Sequence, residues 1–376
     1  HCGRICLKRD VMCDWTRLLR GDPLPWLLEH DHQNPGVRCF TLWDLLERPA
    51  SDPQLIEAQR TVMTTGAVPA ILAAQEPDGY WVKPGWGYAP KYRGTVWSVI
   101  MLAQLGADGS DPRVRKAGEY LLQHSVSPEG AFTALAKRLL AGAIVCLGGN
   151  LCAALLDLGW LGDERLAKAL EWEARLITGE GLAPAAERGA RLRYCRSGTT
   201  GPGFCCAGNN GQPCAWGAVK ALLAFSKVPD EARTSLIRVA VQVGVEFLLS
   251  RDPATADYPT GCSTKPSTSW FKFGFPLFYV TDVLQNLEAL TALGYGTDPR
   301  LANAIDLVLS KQDQAGRWKL EYSYRGRTWV DTGQKGKPSK WVTLRALRML
   351  KKCEATASAQ SASSADSVTG VIGDLC

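Results

Sequence analysis

Long apolar runs are missing from this sequence, and so are runs of like charge. No uninterrupted apolar stretch approaches the roughly 20 residues that a bilayer span needs. The stretch "LLAGAIVCLGG" is short and broken by glycine. Lys and Arg outnumber the acids and leave a net charge of +6, but they are scattered along the chain. No basic stripe with interleaved aromatics, of the kind that grips nucleic acid, is present. A mild attraction for an anionic small molecule, or peripheral contact with a membrane surface, is compatible with this balance. Histidine is scarce: His1, His30, His32 and His124 are the whole set, so none follows the midpoint. Period-2 alternation is nearly absent, which argues against a β architecture. The opening residues lack the apolar centre of a signal peptide, and residues 1–14 are read as an extension without a role.

Cysteine is plentiful instead. Thirteen in 376 residues is an odd number, on a chain far longer than a disulfide-stapled module. Several, such as Cys39, Cys146 and Cys152, sit in apolar helical runs, where a free thiol acts as a small core hydrophobe. The expected compartment is reducing and cytoplasmic.

Helical pairs fill the rest. "YRGTVWSVIMLAQLG" precedes "DPRVRKAGEYLLQ", and "GGNLCAALLDLGWL" precedes "DERLAKALEWEARL". "PCAWGAVKALLAF" leads to "EARTSLIRVAVQVGVEFLLS", and "YVTDVLQNLEALTALG" to "DPRLANAIDLVLSKQ". In each pair the first helix is small and apolar throughout and ends at Gly or a turn. The second is amphipathic and opens on an acid, often Asp-Pro, suited to N-cap and first turn. Asp111 and Asp163 lie 52 residues apart, a repeat length that fits helical hairpins. "GVRCFTLWDLLERPASDPQLIEAQRTVM" and "SKWVTLRALRMLKK" read as the first and last members. The pattern predicts one all-α domain over 15–352, with first helices inside a barrel and second helices outside. The Ala/Ser-rich stretch 353–376 is expected to be disordered.

Two stretches share the pattern QxxxGxW: Gln75, Gly79 and Trp81, then Gln312, Gly316 and Trp318. A third, "QHSVSPEGAF", looks like a decayed copy with Gly130 and Phe132. Each follows a second helix and must turn the chain toward the next first helix. Glycine permits the turn, tryptophan clamps the junction, and glutamine reaches bare backbone groups at a helix end. In this setting the chain resembles the squalene-hopene cyclase and protein prenyltransferase superfamily, and more narrowly a bacterial group of short single-toroid squalene-cyclase-like proteins. The resemblance implies an (α/α)6 toroid with a central cavity for an isoprenoid or other apolar substrate.

The chemistry that the superfamily uses leaves no signature here. DxDD, the acid of one cyclase class, is absent, as is the magnesium-diphosphate motif DDxxD. No Asp-x-Cys pair followed by a histidine, the set that holds zinc in protein prenyltransferases, occurs. Candidates must come from the remaining residues. Asp282 opens a first helix beside Phe278 and Tyr279, where apolar surroundings would raise its pKa and suit it to proton transfer; a plain helix cap is the alternative. Tyr92, Trp97, Trp216, Phe278, Tyr279 and Trp341 cluster near helix starts and would line a cavity with π-faces. Lys91, Arg93 and Lys340 stand at the same entrances and would hold an anionic head group. Cys195, Cys206 and Cys214 lie in one Gly/Pro-rich loop, and Cys146 at an equivalent helix start, a set that would bind zinc. A non-catalytic toroid that binds a protein or lipid is a second reading, although the CGEQ thioester motif of complement-type toroids is absent. A polysaccharide-active barrel is a third, with Glu171 and Glu173 as a poorly oriented carboxylate pair.

Overall fold

The computed structural model describes residues 14–372 except 185, 194–200, 262 and 264, with side chains as far as 358. Eleven helices carry the architecture. α1 (Pro35–Phe40) runs into a π-helical turn, Thr41–Leu45, and is followed by α2 (Pro53–Thr64). Next come α3 (Thr95–Leu105), α4 (Pro112–His124), α5 (Val145–Asp157) and α6 (Glu164–Thr178). α7 (Ala215–Ser226), α8 (Ser235–Leu249), α9 (Val283–Ala292), α10 (Ala302–Ser310) and α11 (Lys340–Ile372) complete the series. Only isolated β-bridges occur among the described residues.

Odd-numbered helices form the inner ring. α3 packs on α5, α5 on α7, α7 on α9, α9 on α11, and α11 returns to α1. The last join is α1 on α3, so close that a Cβ on Gly36 would lie 2.3 Å from the Leu105 carbonyl oxygen. The inner helices are buried nearly all round, as in "TVWSVIMLAQL" of α3, where every residue but Gln104 is buried. That is the expected pattern for a helix with neighbours on every side. Even-numbered helices form the outer layer and bury one stripe. Their starts match the sequence grammar: Asp52, Asp111 and Asp163 accept from backbone N–H groups of the first turn, as Thr234 does at α8. The molecule is therefore an all-α toroid.

The QxxxGxW segments are the junctions between layers. The Trp81 indole N–H donates to the Ile71 carbonyl at 2.8 Å, and its backbone N–H to Thr95 Oγ1 on α3 at 3.2 Å. The second copy repeats both bonds, from Trp318 to Val308 O at 2.7 Å and to Thr343 Oγ1 on α11 at 3.0 Å. Gln75 donates to the Arg113 carbonyl at the start of α4, at 2.9 Å. Gln312 does the same toward the chain's beginning, donating to Leu18 O at 3.1 Å and accepting from Arg20 N at 3.1 Å. The 3₁₀ turn Asp14–Leu18 thus lies against α11 in the place of a sixth outer helix. Gly79 and Gly316 have φ of +97° and +71° and back directly onto neighbouring main chain, so no side chain fits. At the decayed copy Gly130 keeps a φ of +103° and the same backbone turn, while Val126 and Phe132 replace Gln and Trp.

α11 runs on past 352 to Ile372. Alanine favours the helix that periodicity alone did not suggest.

Candidate functional site

The two ends of the toroid are built differently. Connections from inner to outer helices are short, and at that end the ring encloses an open cavity of about 1170 Å³. All six inner helices reach it, for example through Phe40, Gln104, Ala153, Leu223, Gln285 and Leu344. Its floor is the segment around Phe275 and Leu277, which dips into the ring from the opposite end. Phe275 stacks on Trp341 with ring centroids 4.3 Å apart and planes 5° from parallel. Gln104 clamps Leu277 at both backbone groups, accepting from its N–H at 2.7 Å and donating to its carbonyl at 2.6 Å. Asn150 donates to the Phe278 carbonyl at 3.0 Å. The side-chain amides near the floor are thus committed to holding it.

Beside the floor lies a buried charge cluster. Arg345 donates to Asp282 Oδ1 at 2.8 Å and Oδ2 at 3.0 Å, and to Glu288 through Nε and Nη2 at 3.1 and 2.8 Å. Asp282 also accepts from the backbone N–H of Gln285 at 2.7 Å and of Gly274 at 3.1 Å. This corrects the surroundings expected for Asp282. It caps α9 and faces a guanidinium rather than apolar rings alone, and its two oxygens accept four hydrogen bonds, which suits it to positioning rather than proton transfer. Glu288, the other carboxylate of the cluster, reaches the cavity. Close by, the fully buried Lys220 donates to Gln285 Oε1 at 2.5 Å. Burial pulls its ammonium down to about 7, against the pull of Asp282.

The rim is charged. Lys227 pairs with Asp157 at 2.7 Å, Lys351 with Glu47 at 2.7 Å, and Arg348 with Asp44. Lys352, also on the rim, has no ion-pair partner among the described residues. Desolvation and the nearby cations Lys227 and Arg348 lower its pKa. The π-helical turn carries the exposed Trp43 to the same rim, where a widened turn re-aims side chains.

Most residues that sequence marked for substrate lie at the other end. Trp97 and Phe278 are fully buried in an aromatic cluster with Tyr92, Tyr279, Tyr88 and Tyr324, whose neighbouring centroids are 4.7–6.3 Å apart. The rings pack against one another and plug that end, so they do not line the cavity. Tyr279 donates to or accepts from Tyr88 at 2.8 Å, and burial pushes its phenol up. Exposed Lys91 lies 5.7 Å from the Tyr279 ring centroid, and Arg93 lies over Trp329 at 5.6 Å. Trp216 is half-buried on α7, away from the cavity. Lys340 pairs with Glu29 at 3.0 Å and Asp31 at 3.3 Å in a separate surface hollow. Of these residues Trp341 alone is among those that line the cavity. Glu171 and Glu173 do not form a pair: Glu173 is buried against Gly148 with its Oε2 unpartnered, and burial holds its carboxyl well above the usual range.

The cysteines come together in part. The loop 201–214 brings Cys206 and Cys214 close enough to influence one another's charge, with Cys146 near both. Cys214 caps α7. The influence of Cys214 holds Cys206 down at about 6, burial pushes Cys146 up to about 12, and Cys214 is raised by Cys206. Cys195 lies outside the described residues. Among the described residues no three His, Cys, Asp or Glu side chains are grouped to hold a metal ion.

Sequence reasoning missed Arg345, Glu288, Gln285 and Lys220. The signal was present: an arginine in "SKWVTLRALRML" and a lysine in "AWGAVKALLAF" interrupt runs that otherwise read as fully buried, and a charge in such a run needs a partner.

No family model matches the chain, and no curated protein matches it. It is similar to several solved structures. One is an unsaturated glucuronyl hydrolase specific for heparin, 12% identical over 86% of each chain, with a TM-score of 0.49. Another is the apo type II terpene cyclase MstE from Scytonema, 14% identical over 87% of this chain and 89% of that one, with a TM-score of 0.42. A third is a protein from Actinoplanes, 15% identical over 90% of this chain and 99% of that one, with a TM-score of 0.42.

Proposed function

We propose that the toroid binds a long, mostly apolar molecule of isoprenoid type in its central cavity, with an anionic head at the rim. The observation that carries this reading is the cavity itself. At about 1170 Å³ it exceeds the roughly 300–1,000 Å³ of sites for drug-sized ligands. Its walls present Ile100, Ala103, Ala153, Ala154, Leu223 and Leu344, while the amides at its floor are engaged with the fold. Lys352, the cation of this rim group without an ion-pair partner among the described residues, stands at the mouth beside Lys227 and Arg348, each of which is paired with an acid. The two QxxxGxW junctions support the same reading through the superfamily that they resemble. No described helix is long and apolar enough to cross a membrane, so an apolar ligand would be sheltered by the ring rather than by a spanning segment.

Binding is measured with a fluorescent geranylgeranyl chain, free and as its diphosphate. Ala153→Trp places an indole in the cavity and is expected to weaken both at least tenfold with the helical circular dichroism signal unchanged. Unaltered affinity in a folded variant overturns the reading. If the ligand is also transformed, Glu288 is the carboxylate placed to take part, and Glu288→Gln is expected to lower turnover by about 10²–10⁴-fold with affinity retained.

A further inference from the structure

We infer that the plugged end of the toroid docks on an anionic lipid bilayer, through two neighbouring turns that carry exposed aliphatic side chains among cations. The first turn follows the junction Trp81. Lys83 N–H donates to the Trp81 carbonyl at 2.8 Å, and Val82 between them has a φ of +69°. That is a γ-turn of the strained kind, which a β-branched residue adopts only where its surroundings impose it. The turn holds Val82 outward, 48% exposed. The second turn is closed by Thr133, whose hydroxyl accepts from Leu135 N–H at 3.2 Å and donates to the Leu139 carbonyl at 2.7 Å. Inside it Lys137 and Arg138 are both left-handed, with φ of +59° and +53°. Leu135 and Leu139, on either side of them, are 43% and 52% exposed. Strain of this kind tends to be kept where it serves a function.

Both turns are anchored on the end of α4. Gly85 N–H donates to Tyr120 Oη at 2.7 Å and Ser125 Oγ to the Trp86 carbonyl at 2.8 Å, which fixes the first. Arg138 Nη1 donates to the Gln123 carbonyl at 3.2 Å, which fixes the second. The stretches 82–94 and 133–144 contain Lys83, Lys91, Arg93, Lys137 and Arg138 and no acid. None of the five has an ion-pair partner among the described residues. At the mouth, by contrast, Lys227, Arg348 and Lys351 each face an acid. Uncompensated positive charge therefore stands on the plugged end, beside the aliphatic tips.

This chemistry favours a bilayer over a protein partner. A protein interface is built round a contiguous apolar core, and here each aliphatic tip is set apart by charge. Lipid meets both features without a shaped pocket: anionic head groups take the cations, and the tips reach the acyl boundary just beneath. The mouth then points away from the membrane, so docking is independent of what the cavity holds.

The test is co-sedimentation of the full chain with vesicles of phosphatidylcholine, alone or mixed equally with phosphatidylserine. Binding to the mixed vesicles is expected to weaken as salt rises, and binding to the neutral ones to be about tenfold weaker or less. Leu135→Ser with Leu139→Ser, and separately Lys137→Glu with Arg138→Glu, are each expected to lower affinity for the mixed vesicles about tenfold. Val82→Gly removes a tip and relieves its turn, so it is expected to lower affinity several-fold without lowering the melting temperature. Leu161→Ser, at an exposed leucine between α5 and α6 on the mouth side, is expected to change nothing. Circular dichroism checks that each variant is folded. Equal binding to both kinds of vesicle, or an equal loss from Leu161→Ser, overturns the inference. Unchanged binding of the folded leucine variant also overturns it, and would assign the cations to a soluble polyanion.

Discussion

The two ends of the ring share the same six inner helices yet present opposite surfaces. At the end reached by long connections, Tyr92, Trp97, Phe278 and Tyr324 fill the opening with rings. At the end reached by short turns, the same helices end in small side chains and a charged rim around empty volume. Aromatics at helix starts therefore mark mainly the closed end, Trp341 at the cavity being the exception among those marked. Long loops bring in enough apolar surface to close their own end, and short turns leave the other end open.

Removing the plug is the largest perturbation. Trp97→Ala deletes a ring that is 1% exposed and is expected to cost about 3–5 kcal/mol in chemical denaturation. A loss below about 1 kcal/mol would mean that the closed end contributes little to stability.

Two buried groups between the ends sharpen the contrast through pH. Lys220 has its folded pKa lowered from 10.5 to about 7, so between those values the unfolded chain binds the proton and the folded chain does not. Stability is then expected to fall as pH drops from 10.5 toward 7. Glu173 is shifted upward from 4.5, so its contribution is expected to fall as pH rises above 4.5. Thermal melts of Lys220→Met and Glu173→Gln are expected to flatten opposite limbs of the stability profile. Parallel profiles for wild type and both variants would contradict the assignments.

The smallest effect belongs to the open rim. Lys352→Ala is expected to change stability by no more than about 0.5 kcal/mol while weakening the diphosphate probe several-fold and the uncharged chain not at all. Equal loss for both probes would move the head-group site elsewhere.

The helices, their layers and the junction tryptophans were legible because each rests on local pattern. Asp52, Asp111 and Asp163 announce outer helices, and Gly79 and Gly316 announce turns that only glycine makes without strain. The cavity was not legible, because which end of a helix opens to solvent depends on where distant loops lie. Phe275 and Leu277, which form its floor, come from a segment with no helical period and are held by Gln104, more than 170 positions away. Asp282 was read from its neighbours in sequence, Phe278 and Tyr279, whereas its charge partner Arg345 is 63 positions downstream.

The bonds from Gln312 to Leu18 and Arg20 span 292 to 294 positions. They have a consequence for how the ring comes into being. During synthesis Leu18 and Arg20 emerge long before Gln312 and α11, so the place where they dock does not yet exist. Contacts of such separation are slow to form. The nascent chain is therefore an open crescent whose last act is to shut like a clasp, and the final inner helix, with its Arg345, completes the floor of the cavity only late in that process.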